Sequence, residues 1–241
     1  FFILMFISSI YFDLKITNFE INFINELNKN IFIAAILFFC CIFISANGAN
    51  LLDGLNGFIL IKTFSILTSL LFVCVKEELF ILSELILYFI LSILLIIFLN
   101  FPKAKIFMGD SGSYLLGSFI GMVCIKINSM STDVSPFYLA GLNLYFFTEI
   151  IFSVIRKIVE KRKPYLPDNK HMHSLLYFLL KKNVSYNNAQ ILSTTFLNLL
   201  FILYLIFLTI FFTDGDIIKL MMLIFVIIYV NLYIYLRIKM N

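Results

Sequence analysis

Apolar residues run through this chain in long stretches broken by short polar segments. The stretches place helices at about 31–46, 58–75, 79–99, 113–128, 136–156, 190–212 and 217–236, after a shorter apolar run at 1–12. Inside a bilayer only helices or closed barrels satisfy the backbone. These runs are too long and too unalternating to be barrel strands. The expected fold is all-α: a polytopic membrane protein with about seven full transmembrane helices plus one partial N-terminal helix, in a single domain over 1–241. A span needs roughly 20 residues, so the run at 1–12 reads as a helix entered partway, and an N-terminally incomplete chain is the expectation.

Composition supports the bilayer as the main solvent. Hydrophobic residues make up 62% of the 241, charged residues 13%, and the mean hydropathy is +1.03. A soluble domain carries about 25% charged residues. The net charge of +4 does not suggest nucleic acid but suits a basic face near anionic lipid. Cys40, Cys41, Cys74 and Cys124 all lie in apolar runs without metal-ligand spacing and read as small hydrophobes.

The connections alternate sides. One side receives the segments near 47–57, 100–112 and 156–189 and the C-terminal tail, while the other receives 13–30, 76–78, 129–135 and 213–216. The segment 156–189 alone carries eight Lys or Arg residues, and the positive-inside rule makes its side cytoplasmic. Lys62 lies just inside a helix on that side.

Three polar clusters fall on this face. Asn47 to Gly57 sets Asn, Asp and Gly at a membrane boundary, where they suit a polar ligand or serve simply as a turn or helix cap. Asn100 to Ser113 carries Asp110 beside a helix N-terminus. There it caps the helix or holds a divalent cation, since magnesium takes one or two carboxylates and leaves its other positions to phosphate and water. Lys163 to Ser174 contains both histidines of the chain, His171 and His173, beside Asp168 and several cations. A phosphate- or sugar-binding role fits this loop better than zinc, whose further ligands it lacks. Glu149, a carboxylate within an apolar helix, is a functional candidate by position, with pairing to Arg156 as the structural alternative.

Together the clusters resemble the polyprenyl-phosphate N-acetylhexosamine-1-phosphate transferases, glycosyltransferase family 4. The matching stretches read NGANLLDGLNG, IFMGDSGS and PDNKHMHSLL, in the family's order and on one face. The last loop is closer to the undecaprenyl-phosphate GlcNAc-1-phosphate transferase branch than to the phospho-N-acetylmuramoyl-pentapeptide transferases. The resemblance implies transfer of an N-acetylamino-sugar 1-phosphate from a UDP-sugar to polyprenyl phosphate, with release of UMP, at the cytoplasmic face of a bacterial plasma membrane. It implies magnesium, or manganese in its place, at Asp110, and a catalytic set of Asp53, Asp110, His171 and His173. It also implies substrate contacts from Asn47, Asn50, Asn56, Asn100, Phe107 (stacking on uracil) and Lys170, and allows a homodimer.

Two departures stand against the family pattern. Asn56 replaces the second aspartate of the first motif, and no Asp-Asp pair, expected in an earlier loop, occurs in the chain. They keep two other readings open: a pseudoenzyme that binds nucleotide without turnover, and a transporter.

Overall fold

The structure, a computed structural model, describes residues 16–163, 166 and 168–240. The expected partial helix at 1–12 lies outside the described residues, as do Pro164, Tyr165 and Pro167 of the third cluster. The described chain is all helix and turn. A short α1 (Asn22–Leu27) leads into α2 (Ile31–Leu51), α3 (Phe58–Lys76), α4 (Phe80–Asn100) and α5 (Gly109–Met130). Then come α6 (Pro136–Leu142), α7 (Leu144–Val159), α8 (Met172–Lys181), α9 (Tyr186–Ile210) and α10 (Gly215–Met240). Six of these helices are long and apolar enough to cross a membrane, and α6 with α7 makes a seventh if the bent pair is one span. The chain is a multi-pass membrane protein.

Local sequence sets the helix starts. The Asn30 side chain accepts from the Phe32 and Ile33 amides at the head of α2, and Ser185 does the same for Asn188 at the head of α9. Ser135 caps α6, and Pro136 occupies its first turn, where a missing N–H does no harm.

At the centre stands α3, whose Phe58, Ile66, Leu67, Leu70 and Val73 are wholly buried. By contrast α4 turns Ile81, Leu95 and Phe98 outward, 88%, 67% and 72% exposed, as lipid-facing positions should be. Lipid tails are as apolar as leucine, so helix association here rests on close packing and interhelical hydrogen bonds. Gly117 of α5 supplies one such close approach: a Cβ there would fall 2.3 Å from the Ser45 carbonyl oxygen and 2.7 Å from Ala46 Cα of α2. Ser69 of α3 bonds both Tyr138 of α6 (2.6 Å) and Thr209 of α9 (2.5 Å). All four cysteines are unpaired, two of them buried.

The helix expected over 136–156 is broken. α6 and α7 meet at 62° about Asn143. No proline is needed, because the Asn143 side chain enters the ladder: its Nδ2 donates to the Leu139 carbonyl (3.1 Å), and its Oδ1 accepts from Ser45 Oγ (2.9 Å). The segment 157–189 contains α8, whose Met172, Leu175 and Leu176 bury into the bundle's core.

The connections group at two ends of the bundle, as their expected alternation requires. At one end Asn128 accepts from the Thr17 amide (2.8 Å), Ser131 donates to Glu77 (2.5 Å), and the Ser135 amide donates to the Phe212 carbonyl (3.0 Å). The three polar clusters gather at the other end.

Candidate functional site

The first two clusters meet through Asn50. It lies in the last turn of α2, which runs past the expected end of that helix. Its Nδ2 donates to Asp110 Oδ1 (3.2 Å) and to Ser113 Oγ (3.0 Å) in the first turns of α5. Asp110 is exposed at a helix N-terminus, whose free amides favour negative charge. Asp53, in the turn after α2, is half-buried. Burial first, and then the Asp110 charge, push its carboxyl above the usual carboxylate range. Two carboxylates that feel each other at a helix head form a negative pocket that a cation would relieve. Among the described residues no set of three or more His, Cys, Asp or Glu side chains converges as a closed metal cage.

Asn100 joins the same two clusters in another way. It is buried, and both ends of its amide are engaged. Its Oδ1 accepts from the Gly57 amide (2.5 Å), and its Nδ2 donates to the Ile106 carbonyl (2.7 Å). Asn56 reaches the Pro102 carbonyl at 3.4 Å. Asn47 bonds back to Phe43 of its own helix (2.8 Å), and Phe107 stands 80% exposed on the loop before α5.

The third cluster is anchored from below by α7. Arg156 Nη2 contacts both carboxylate oxygens of Asp168 (2.8 and 2.7 Å) and Ser153 Oγ (3.2 Å). Its Nη1 donates to the Lys170 carbonyl and to Tyr233 Oη of α10. Tyr233 in turn donates to the Lys170 carbonyl (3.1 Å). The Lys170 ammonium is held by Glu160 (2.8 Å), which also takes Arg237 (2.9 Å). Chiefly through the Lys170 bond, and then the Arg237 bond, the Glu160 carboxyl stays below its ordinary range although burial opposes this.

Glu149 does not pair with Arg156. Its Oε2 meets His171 Nδ1 at 3.0 Å, and its Oε1 accepts from the Met172 amide at 3.3 Å. The His171 Nε2 faces Asp168 Oδ1 at 3.8 Å. His173 stacks parallel to His171, with ring centroids 5.7 Å apart, and packs on Phe58 at 5.2 Å. Burial pulls the His173 imidazole down to about 4; Glu149 opposes the shift, while His171 and Lys62 add to it. His173 is therefore neutral near pH 7. Its Nε2 points at the turn after α2, where a Cβ on Gly54 would lie 2.5 Å away.

A cleft of about 600 Å³ joins these parts, lined among others by Asn50, Gly54, Lys157, Asp168, His171 and His173. The site therefore combines donors, a pair of acidic groups and a neutral imidazole at one end of the bundle. Asn47, Asp53, Asn56, Asn100, Phe107, Asp110 and Lys170 do not line this cleft; the two carboxylates stand beside it, next to Asn50 and Gly54.

A family model for glycosyl transferase family 4 matches residues 1–128. The chain belongs to glycosyl transferase family 4. The matched stretch carries the first two clusters and ends before the histidine loop. Among similar proteins, an undecaprenyl-phosphate alpha-N-acetylglucosaminyl 1-phosphate transferase of Thermotoga maritima is 34% identical over 127 residues, 53% of this chain and 38% of the relative. A probable undecaprenyl-phosphate N-acetylglucosaminyl 1-phosphate transferase of Bacillus subtilis is 31% identical over 134 residues, 54% of this chain and 37% of the relative. A phospho-N-acetylmuramoyl-pentapeptide-transferase of Prochlorococcus marinus is 39% identical over 112 residues, 44% of this chain and 30% of the relative. The matched part thus spans well under half the length of these curated relatives. The N-acetylglucosaminyl proteins stand ahead of the pentapeptide transferases, in keeping with the branch that the last loop implies.

Proposed function

We propose that this family 4 protein transfers an N-acetylamino-sugar 1-phosphate, GlcNAc-1-phosphate or similar, from a UDP-sugar to polyprenyl phosphate. UMP is released at the cytoplasmic face of a bacterial plasma membrane, as the first step of a cell-envelope glycan. The observation that carries the reading is the Asn50–Asp110 contact, which seats the first two clusters together beside the cleft of His171 and His173.

An oxygen of the lipid phosphate attacks the sugar-proximal phosphorus. A new P–O bond forms as the bond to the bridging oxygen breaks, and that oxygen leaves with UMP. An ionised phosphate needs little base catalysis, so positioning supplies much of the rate. The Asp53 and Asp110 carboxylates, the first half-buried and feeling the charge of the second, would suit a magnesium or manganese ion that leaves its other positions to phosphate and water. When bound, that ion neutralises charge on the pyrophosphate. His171 and His173 line the cleft where the sugar phosphate would lie, and Asn50 fixes Asp110 toward it. The lipid substrate reaches the site from the membrane, the nucleotide sugar from water.

The test is UMP release from UDP-GlcNAc and related UDP-N-acetylamino sugars in the presence of polyprenyl phosphate and magnesium. Release that needs both the lipid and the metal, and that disappears in Asp110→Ala, supports the reading. Absence of release with every such sugar from a protein that folds and binds UDP rejects it.

A further inference from the structure

Three polar side chains stand on one face of α9 at intervals of one helical turn: Gln190, Thr194 and Asn198. All three are buried, at 8%, 0% and 2% exposed. In a membrane span such groups serve as glue between helices, and two of the three do so. Thr194 Oγ1 donates to the Asn56 carbonyl (3.1 Å), and Asn198 Nδ2 donates to the Phe58 carbonyl (3.2 Å). Together they clamp α9 to the turn of the first cluster.

Gln190 continues the stripe by one more turn and has no such acceptor. Its side chain makes one hydrogen bond among the described residues, from Nε2 to Tyr186 Oη at 3.5 Å, the outer limit for such a bond. A carboxamide offers two donors and an acceptor, and a buried polar group left without partners is costly. Gln190 lines the cleft of the two histidines. Its unused capacity therefore borders a space for a ligand rather than another helix.

The cleft wall around it is apolar. Leu55 of the turn and Tyr177 and Phe178 of α8 line it too, with Tyr177 edge-on to Tyr186 at 5.8 Å. One buried carboxamide among apolar side chains suits a small group that is itself an amide carrying a methyl. The proposed donor has such a group, the acetamido substituent of its sugar. Position agrees with chemistry. Asn56, Asn100 and Phe107, the nucleotide contacts that the resemblance implies, lie outside the cleft, and the histidines lie in it. With the sugar phosphate at the histidines, the sugar is the part of the donor left for the remaining wall. The volume of about 600 Å³ is that of a ligand pocket, roughly 300–1,000 Å³.

We propose that Gln190 is a specificity-determining residue: its carboxamide hydrogen-bonds the acetamido group of the donor sugar, whose methyl packs on Leu55, Tyr177 and Phe178. The assignment rests on the proposed phosphosugar transfer and adds to it the reason for an N-acetylamino sugar over a plain hexose. A hydroxyl in place of the acetamido group leaves the apolar wall uncovered and the carboxamide poorly partnered.

The experiment compares UDP, UDP-GlcNAc and UDP-glucose on the whole chain in lipid nanodiscs, with affinity read from the ligand-dependent rise of the unfolding midpoint. Wild type should bind UDP-GlcNAc at least about tenfold more tightly than UDP-glucose. Gln190→Leu removes the amide at similar size, and Gln190→Asn withdraws it by one methylene. Both should lose most of the preference and keep the affinity for UDP within about twofold. A role confined to holding α9 would change all three ligands together. Wild type that binds both sugars alike overturns the proposal, as does a preference that survives either substitution. An equal loss for UDP also overturns it, since Gln190 would then meet the nucleotide. A chain that binds none of the three rejects the nucleotide-sugar reading and the assignment with it. A chain that shows the preference and its loss but releases no UMP rejects the transfer alone and leaves the Gln190 assignment standing.

Discussion

Glu149 and His171, 22 residues apart in sequence, join α7 to the histidine loop through one carboxylate–imidazole contact of 3.0 Å, buried on both sides. The contact gives the loop a fixed point inside the bundle, and the Met172 amide doubles it.

Glu149→Gln keeps the shape and removes the charge. Hydrogen bonds to charged groups are worth about 1.5–3 kcal/mol, so UMP release should fall roughly 10- to 100-fold while the protein stays folded in nanodiscs. Wild-type rates in this variant would show that the carboxylate only fills space.

Arg156 and Asp168 form a second buried anchor, with side chains 8% and 9% exposed. Removing one partner of a buried pair strands the other and costs about 3–5 kcal/mol. Arg156→Met and Asp168→Asn should therefore each lower the unfolding midpoint strongly in detergent, and the double variant should lose less than the sum of the two. Additive losses would mean that the pair is not coupled. Arg156→Lys should behave almost as badly as Arg156→Met, since an ammonium cannot reach Asp168, Ser153, Tyr233 and the Lys170 carbonyl together.

Burial lowers His173 from an ordinary 6.5 to about 4. The sign follows from linkage: between those values the unfolded chain binds a proton that the folded chain refuses. This contribution to stability is complete above about pH 6.5, declines as pH falls, and levels off below about 4 after a loss on the order of 3 kcal/mol. Unfolding midpoints measured across that window should slope downward toward acid in wild type and flatten in His173→Gln. Equal slopes would mean that another group carries the effect.

Gly54 leaves the His173 imidazole room at the cleft, and Gly54→Ala puts a methyl group 2.5 Å from Nε2. The turn has space to fold but not to keep the ring in place. The expected outcome is a loss of UMP release of about tenfold or more, with the unfolding midpoint close to wild type. Retained activity would place the ligand elsewhere.

The spans, and the gathering of the three polar clusters at one end of them, were legible because in lipid the apolar run is itself the structural signal. The meeting of Asn50 with Asp110 was legible as membership of one face, although the boundaries shifted so that Asn50 ends one helix and Asp110 opens another. The break at Asn143 was not legible: a lone Asn in an apolar run acquires its meaning from Ser45, 98 residues away. Glu149 and Arg156 share a face of α7, which suggested that they pair. The loop folds back instead, bringing Asp168 to the arginine and His171 to the glutamate, and nothing local records that return. Lys62 reads in the sequence only as a cation just inside a helix; the rings of Phe58, Tyr145 and Phe201 around it come from three helices and meet only once they pack.

Backbone touches backbone where α2 passes Gly117 of α5, so no rotamer lies between the two helices to absorb a push from the bilayer. Asn50 and Asp110 ride at one end of that fused pair, whereas the outward face of α4 meets the lipid. The carboxylates beside the cleft are therefore carried on a rigid mount. The histidine side has a different mount: it packs through α8 on α9 and α10, so the two sides of the site are tied to different helices and their spacing depends on the fit of the whole bundle.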